Sequence, residues 1–183
     1  MTSPETPVLG TLASEPAIRH PELLADPVAA ALADWPGAGR VGVVEIDPSL
    51  ADTQALTEAY DLPLTASANC VLVAGRRGGE ERIAACVVRA DTRADVNNTV
   101  KRLLDVRKAS FLPTERAVAE SGMEYGGITP VGLPAGWRVL VDARVVALDV
   151  AVIGSGLRRS KLLLPGHLLG EVRGAEVVEG VAG

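Results

Sequence analysis

The stretch ANCVLVAGRRGGEERIAACVVRA, residues 68–90, restricts the fold more than any other. Two apolar runs, Asn69–Ala74 and Ile83–Ala90, flank the pair Gly78–Gly79. Glycine pairs supply the positive φ that tight hairpin turns need, and valine-rich runs suit a pleated, half-buried surface. The segment therefore predicts a long antiparallel hairpin. A chain built around such a hairpin is not a strictly alternating, doubly wound parallel sheet.

The remaining punctuation agrees with a mixed fold. PELLADPVAAALADW carries a helical pattern that Pro27 interrupts or restarts. RVGVVEI, Arg40–Ile46, reads as a strand, and Asp52 or Thr53 caps a helix that runs through Tyr60. Asp95 caps a second helix, whose Val96, Val100, Leu103 and Leu104 form an apolar stripe. KASFLP is a short strand. TERAVAESG is a helix with Thr114 as cap and Gly122 as stop. WRVLVDARVVALDVAVIG predicts two strands around Asp142–Ala143, and SKLLLPGHLLGEV a last strand and a short helix. The expected class is α+β: a mixed, largely antiparallel curved sheet with packed helices. Residues 1–40, rich in Pro, Ala and Gly, read as an N-terminal arm packed on a domain spanning 41–183.

Composition narrows the functional classes. Apolar residues make up 48% of the chain, enough for a packed core, but aromatics only 3%, so Val, Leu, Ala and Ile must fill it. No apolar run reaches the length that spans a bilayer, and the first residues lack the pattern of a secretory signal. Cys70 and Cys86 both sit in apolar runs and read as buried thiols of a reducing, cytoplasmic compartment. A net charge of −5 argues against bulk electrostatic binding of nucleic acid, although Arg76–Arg77, Lys101–Arg102, Arg107–Lys108 and Arg158–Lys161 form local basic clusters.

VAVIGSGLRRSKLLLPG, residues 150–166, imitates a nucleotide fingerprint. The third glycine of G-x-G-x-x-G is missing, the next residues are strand-like, and no G-K-[ST] closes a phosphate loop. The segment is better read as a strand-to-strand turn or a pocket wall. The two histidines, His20 and His167, lack a serine elbow, and no His, Cys or carboxylate group has metal-ligand spacing, so neither a triad, a metal nor a cofactor is expected. EYGGITPVGLP is more informative. Its glycines and prolines commit the backbone to one conformation and bare N–H groups able to hold a carboxylate or a developing oxyanion.

Three segments together resemble a known family. DVRKASFLPTERAVAESGMEYGGITPVGLP, the run from VLVD into VAVIGSGLRRSKLLLPGHLL, and NCVLVAG with IAACVVRAD are similar in order and character to the YbaK/EbsC family, the aminoacyl-tRNA deacylases related to the insertion domain of prolyl-tRNA synthetases. The resemblance spans roughly residues 41–172. It implies hydrolysis of the ester of a mischarged tRNA in trans, without metal, with the acceptor end of tRNA as partner. The family loop G-x-x-x-P maps onto Gly126–Pro130, so Gly126, Gly127 and Thr129 are expected to hold the carbonyl, beside Ile128 and Pro130. The terminal ribose hydroxyl of the tRNA would assist attack by water. Gly154, Ser155 and Gly156 would form another pocket wall, and Arg158, Arg159 and Lys161 are the nearest candidates for phosphate contacts. Two family lysines align with Asn97 and Asn69. Asparagine can hydrogen-bond a substrate but carries no charge for a phosphate, and Lys101, four residues after Asn97, would share its helix face. The same residues also suit a module that kept the pocket and lost the chemistry, binding an amino acid, an aminoacyl group or a protein. A homodimer is left open.

Overall fold

The computed structural model describes residues 5–183. Its strands are Val8–Leu9 (β1), Leu12–Ala13 (β2), Glu15–Pro16 (β3), Gly42–Glu45 (β4), Ala68–Arg77 (β5), Glu80–Arg89 (β6), Ala109–Phe111 (β7), Arg138–Asp142 (β8), Ala151–Gly154 (β9), Ser160–Leu164 (β10) and Ala175–Val178 (β11). Its α-helices are Asp26–Asp34 (α1), Thr53–Tyr60 (α2), Lys101–Leu104 (α3), Thr114–Ser121 (α4) and Ala143–Val146 (α5). Among the described residues no helix is long and apolar enough to cross a membrane.

The expected hairpin is β5–β6, paired from Ala68 opposite Arg89 to Arg77 opposite Glu80. Gly78 and Gly79 turn it with φ of 59° and 81°. It forms the centre of a five-stranded sheet ordered β11-β8-β6-β5-β7. The sheet is mixed: β5 pairs antiparallel with β6 and β7, whereas β6–β8 and β8–β11 are parallel. A second sheet, β3-β4-β10-β9, is antiparallel throughout. The single curved sheet expected from the sequence is thus divided in two. The halves meet between β5 and β9, at one parallel bridge from Ser67 to Val152.

Burial reflects this arrangement. Leu72, Ala85 and Val87 of the five-stranded sheet pack against Val43, Ile153, Leu162 and Leu164 of the four-stranded one, with Val28 and Leu32 of α1. The far face of the five-stranded sheet, with Val73, Cys86 and Val88, is covered by Val96, Val100 and Leu104. The far face of the four-stranded sheet, with Val152 and Leu163, is covered by Leu56 of α2 and Leu12. Both faces of β10 are therefore buried, which is why its sequence reads as a continuous apolar run rather than an alternating one.

Several local expectations are corrected. Ala143–Val146 is a helical turn, not a strand: the Asp142 carboxylate accepts from the Arg144 N–H at 2.8 Å and caps it, overriding the β preference of the paired valines. Thr114 is the first helical residue rather than the cap, since Pro113 occupies that place with no side-chain bond; Gly122, at φ 70°, ends the helix as expected. The helix capped by Asp95 opens with a π-helical turn, Val96–Val100, before α3. There the Lys101 N–H reaches back to the Val96 carbonyl, five residues away, so the 3.6-residue period that put Asn97 and Lys101 on one face does not apply.

Candidate active site

Beyond the Ser67–Val152 bridge the two sheets splay, and a cavity of about 370 Å³ opens between the edges of β5 and β9. The edge is legible in the hydrogen bonds. Leu112 N–H donates to the Leu72 carbonyl on the β7 side of β5. By the two-residue alternation of a strand, Cys70 turns its N–H and C=O toward the same edge, where β7 no longer reaches. Ser67, Asn69 and Cys70 form one wall. Val152, Ile153 and Gly154 form the facing wall. Asp52, Thr53 and Leu56 close one side, and Tyr125, Gly126 and Ile128 close the other.

The GGITP loop is held by close backbone contacts. Gly156 N–H donates to the Gly127 carbonyl at 2.7 Å, and Gly127 N–H donates to the Glu124 carbonyl at 2.9 Å. A β-carbon on Gly154 would collide with the Gly127 carbonyl oxygen and lie 2.8 Å from that of Ile128; one on Gly127 would lie 2.7 Å from the Leu157 backbone. These glycines let the loop lie directly on the end of β9. So held, the loop leaves the N–H groups of Gly126 and Ile128 without an acceptor among the described residues, beside the cavity.

Lys161 completes the cavity wall. Two residues before Leu163 on β10, it points to the same side of the sheet, toward α2. It is 8% exposed, and its ammonium donates to the carbonyls of Ala51 at 3.2 Å and Gly126 at 3.5 Å. Burial, reinforced by the positive charge of Arg158, lowers its pKa to about 8, while Asp52 acts in the opposite direction. Opposite, the Asn69 amide oxygen accepts from the Thr53 hydroxyl at 3.0 Å, and its NH₂ has no acceptor among the described residues. Desolvation pushes the Cys70 and Cys86 thiols well above their ordinary value; Cys86 is buried as expected, whereas Cys70 is half-buried at the cavity wall.

The structure brings together only part of the expected site. Asn69, Gly126, Ile128 and Gly154 line the cavity. Gly127 and Gly156 shape it from behind, Pro130 is buried outside the lining, and Thr129 is fully buried with its hydroxyl unpartnered. Ser155 is buried and spends its hydroxyl on the turn, 2.7 Å from that of Ser160. Arg158 straps the rim, donating to the carbonyls of Tyr125 at 3.0 Å and Pro48 at 3.2 Å. Asn97 and Lys101 lie outside the cavity, because their helix covers the opposite face of the five-stranded sheet. Lys161, grouped with Arg158 and Arg159 as a surface phosphate contact, is instead buried in the pocket wall. The signal available was a lone charge inside an unbroken apolar strand. Neither histidine lies there: His20 pairs with Glu15 at 2.6 Å, and His167 with Arg40 at 3.2 Å. Among the described residues no cluster of three metal-ligating side chains forms.

Fold and pocket together define a mixed α+β domain whose site is built chiefly from glycine-loop and strand-edge backbone. Residues 47–169 match the model of the aminoacyl-tRNA editing domain. The chain belongs to that family, the YbaK-like group its three motifs resemble. Solved structures share the fold. One is a candidate trans-editing enzyme for prolyl tRNA synthetase, 21% identical, covering 85% of this chain and 94% of its own, with a TM-score of 0.72. Another, with the same identity and TM-score, is a scaffold protein carrying a grafted linear epitope, covering 85% of this chain and 95% of its own. A candidate signal transduction protein from Marinobacter aquaeolei VT8 is 20% identical with a TM-score of 0.54; the match covers 85% of this chain and 30% of the longer one. No curated protein matches the sequence.

Proposed function

We propose that the protein is a free-standing deacylase that hydrolyses the ester of a mischarged aminoacyl-tRNA in trans, without metal. The observation that carries this is the loop at Gly126–Pro130, pressed onto β9 so that two unclaimed N–H groups border a cavity beside a buried ammonium. Fixed donors in a shaped pocket are what an ester carbonyl needs as charge gathers on its oxygen. The cavity takes the aminoacyl group between its walls, and the terminal ribose stands at the mouth, near the 65%-exposed Tyr125. There the ribose hydroxyl can assist the attacking water. Asn69 offers an amide to the aminoacyl group from the opposite wall. The described part of the 1–40 segment serves as an arm packed on the 41–183 domain, and the chain works in the cytoplasm.

A panel of mischarged tRNAs, each incubated with the full chain, tests the function by release of the free amino acid. At least one ester is hydrolysed faster than in buffer alone. If none is, the deacylase reading fails and the pocket belongs to a module that binds an amino acid, an aminoacyl group or a protein.

A further inference from the structure

Lys161 carries more charge into the cavity than the surrounding protein answers. Its two hydrogen-bond partners, the carbonyls of Ala51 and Gly126, are neutral. No carboxylate among the described residues lies within ion-pair distance of it, although other cations in the chain, such as Arg116 and Arg144, are paired. Asp52 is the acidic group whose field reaches it, and Arg158 adds a second positive charge nearby. A buried ammonium without a counter-ion is strongly disfavoured. Here the same cavity holds the two unclaimed loop N–H groups and the Ser67 hydroxyl, 4% exposed and unpartnered. The Lys161 ammonium, the two loop N–H groups and the Ser67 hydroxyl can all donate a hydrogen bond, and of the groups at the open strand edge only the Cys70 carbonyl is confined to accepting. The ligand chemistry that answers all of them at once is an anion.

We infer that Lys161 is the anion-holding group of this pocket: it takes the charge on the ester carbonyl oxygen during hydrolysis and then the carboxylate of the freed amino acid. The inference rests on the deacylase reading for its first half only. As water bonds to the carbonyl carbon, its proton passes to the leaving ribose oxygen through the neighbouring ribose hydroxyl, and the carbonyl π pair moves onto oxygen, facing the Lys161 ammonium. Collapse of that adduct restores the C=O bond and breaks the bond to the ribose oxygen, which departs with that proton. The second product is an amino acid whose carboxyl ionises, so the ammonium faces an anion both before and after the bond breaks. Lys161 thereby touches the reacting atoms and is a catalytic residue.

The test has two arms on the full chain. In the first, NMR titration compares L-alanine, L-serine, L-threonine and L-proline with their uncharged amides. The wild type binds at least one acid tenfold or more tightly than its amide. Lys161→Met abolishes that preference, and Lys161→Gln, which keeps a donor without the charge, abolishes most of it. Equal binding of acid and amide, no binding of any acid, or an unchanged preference in both folded variants overturns the inference. In the second arm, single-turnover deacylation by Lys161→Met falls on the order of 10²-fold, the loss seen when one oxyanion donor is removed, with tRNA affinity retained. Deacylation at the wild-type rate in that variant overturns the catalytic half while leaving the deacylase reading standing. A wild type that hydrolyses nothing but holds carboxylates through Lys161 does the reverse.

Discussion

Replacing Lys161 by methionine has a thermodynamic consequence that can be worked out in advance. Burial lowers the amine from its ordinary 10.5 to about 8, and a tenfold change in proton affinity is about 1.4 kcal/mol. Below pH 8 the amine is charged in both the folded and unfolded chains, and the folded state carries the full penalty of about 3 kcal/mol. Between pH 8 and 10.5 the unfolded chain binds the extra proton, so stability rises with pH; above 10.5 the penalty is gone. Methionine has a similar length and no charge, so Lys161→Met removes the dependence. Asp52, Arg158, Tyr125 and Cys70, the other charged or titratable groups around the cavity, are common to both chains and cancel in the comparison. Urea unfolding followed by circular dichroism, at pH 7 and pH 10, is the assay. The wild type gains roughly 2–3 kcal/mol relative to the variant over that interval. At pH 7 the variant equals or exceeds the wild type, less about 1 kcal/mol for the hydrogen bond lost by the Ala51 carbonyl. Two stability curves that run parallel from pH 7 to pH 10 would falsify the claim that the amine is buried and uncompensated.

Other perturbations separate the loop from its supports. Gly154→Ala drives a β-carbon into the Gly127 carbonyl, so we expect a loss of about 1–3 kcal/mol in urea unfolding and a drop in deacylation rate of at least about tenfold as the loop is displaced. Asn69→Ala breaks the bond from the Thr53 hydroxyl; about 1 kcal/mol of stability is lost by thermal melting, and the deacylation KM rises. Arg158→Ala releases the Tyr125 and Pro48 carbonyls, and hydrogen exchange at residues 124–128 should quicken while the core strands stay protected. Affinity for tRNA, measured by filter binding, should fall with salt with a slope of about 0.7–0.9 per phosphate neutralised; a flat response would show that no phosphate is held.

The hairpin, α2 with its Asp52 cap, and the Gly122 stop were legible because each is set by residues adjacent in the chain: a glycine pair, a capping carboxylate, a left-handed glycine. The glycine–proline loop was equally visible, since its composition commits the backbone wherever it lies. Four features were hidden for nonlocal reasons. The strand β11 is held by a parallel ladder to β8, far earlier in the chain, and its own pattern is short and half exposed. The turn at Ala143–Val146 obeys its cap rather than its valines. The cavity itself arises where β5 and β9, distant in sequence, stop pairing. Lys161 was misplaced because two neighbouring arginines made it look like part of a solvated basic run, whereas both faces of its strand are covered.

The single rung between Ser67 and Val152 sets how the pocket discriminates. Continuous sheets resist shear because every rung of the ladder must move together. Here the β5 and β9 edges share one rung, and what otherwise joins the two sheets is the packing of Leu72, Ala85 and Val87 against Ile153, Leu162 and Leu164. Such a pocket is a poor caliper: past the rung no further bridge among the described residues sets the distance between its two walls. It is a better hydrogen-bond gauge, because Lys161 and the loop are tied to each other and to the β9–β10 side, through the Lys161 bond to the Gly126 carbonyl and the Gly156 bond to that of Gly127, while Asn69 faces them from β5. Selection among small acyl groups should accordingly track charge and polarity more closely than size.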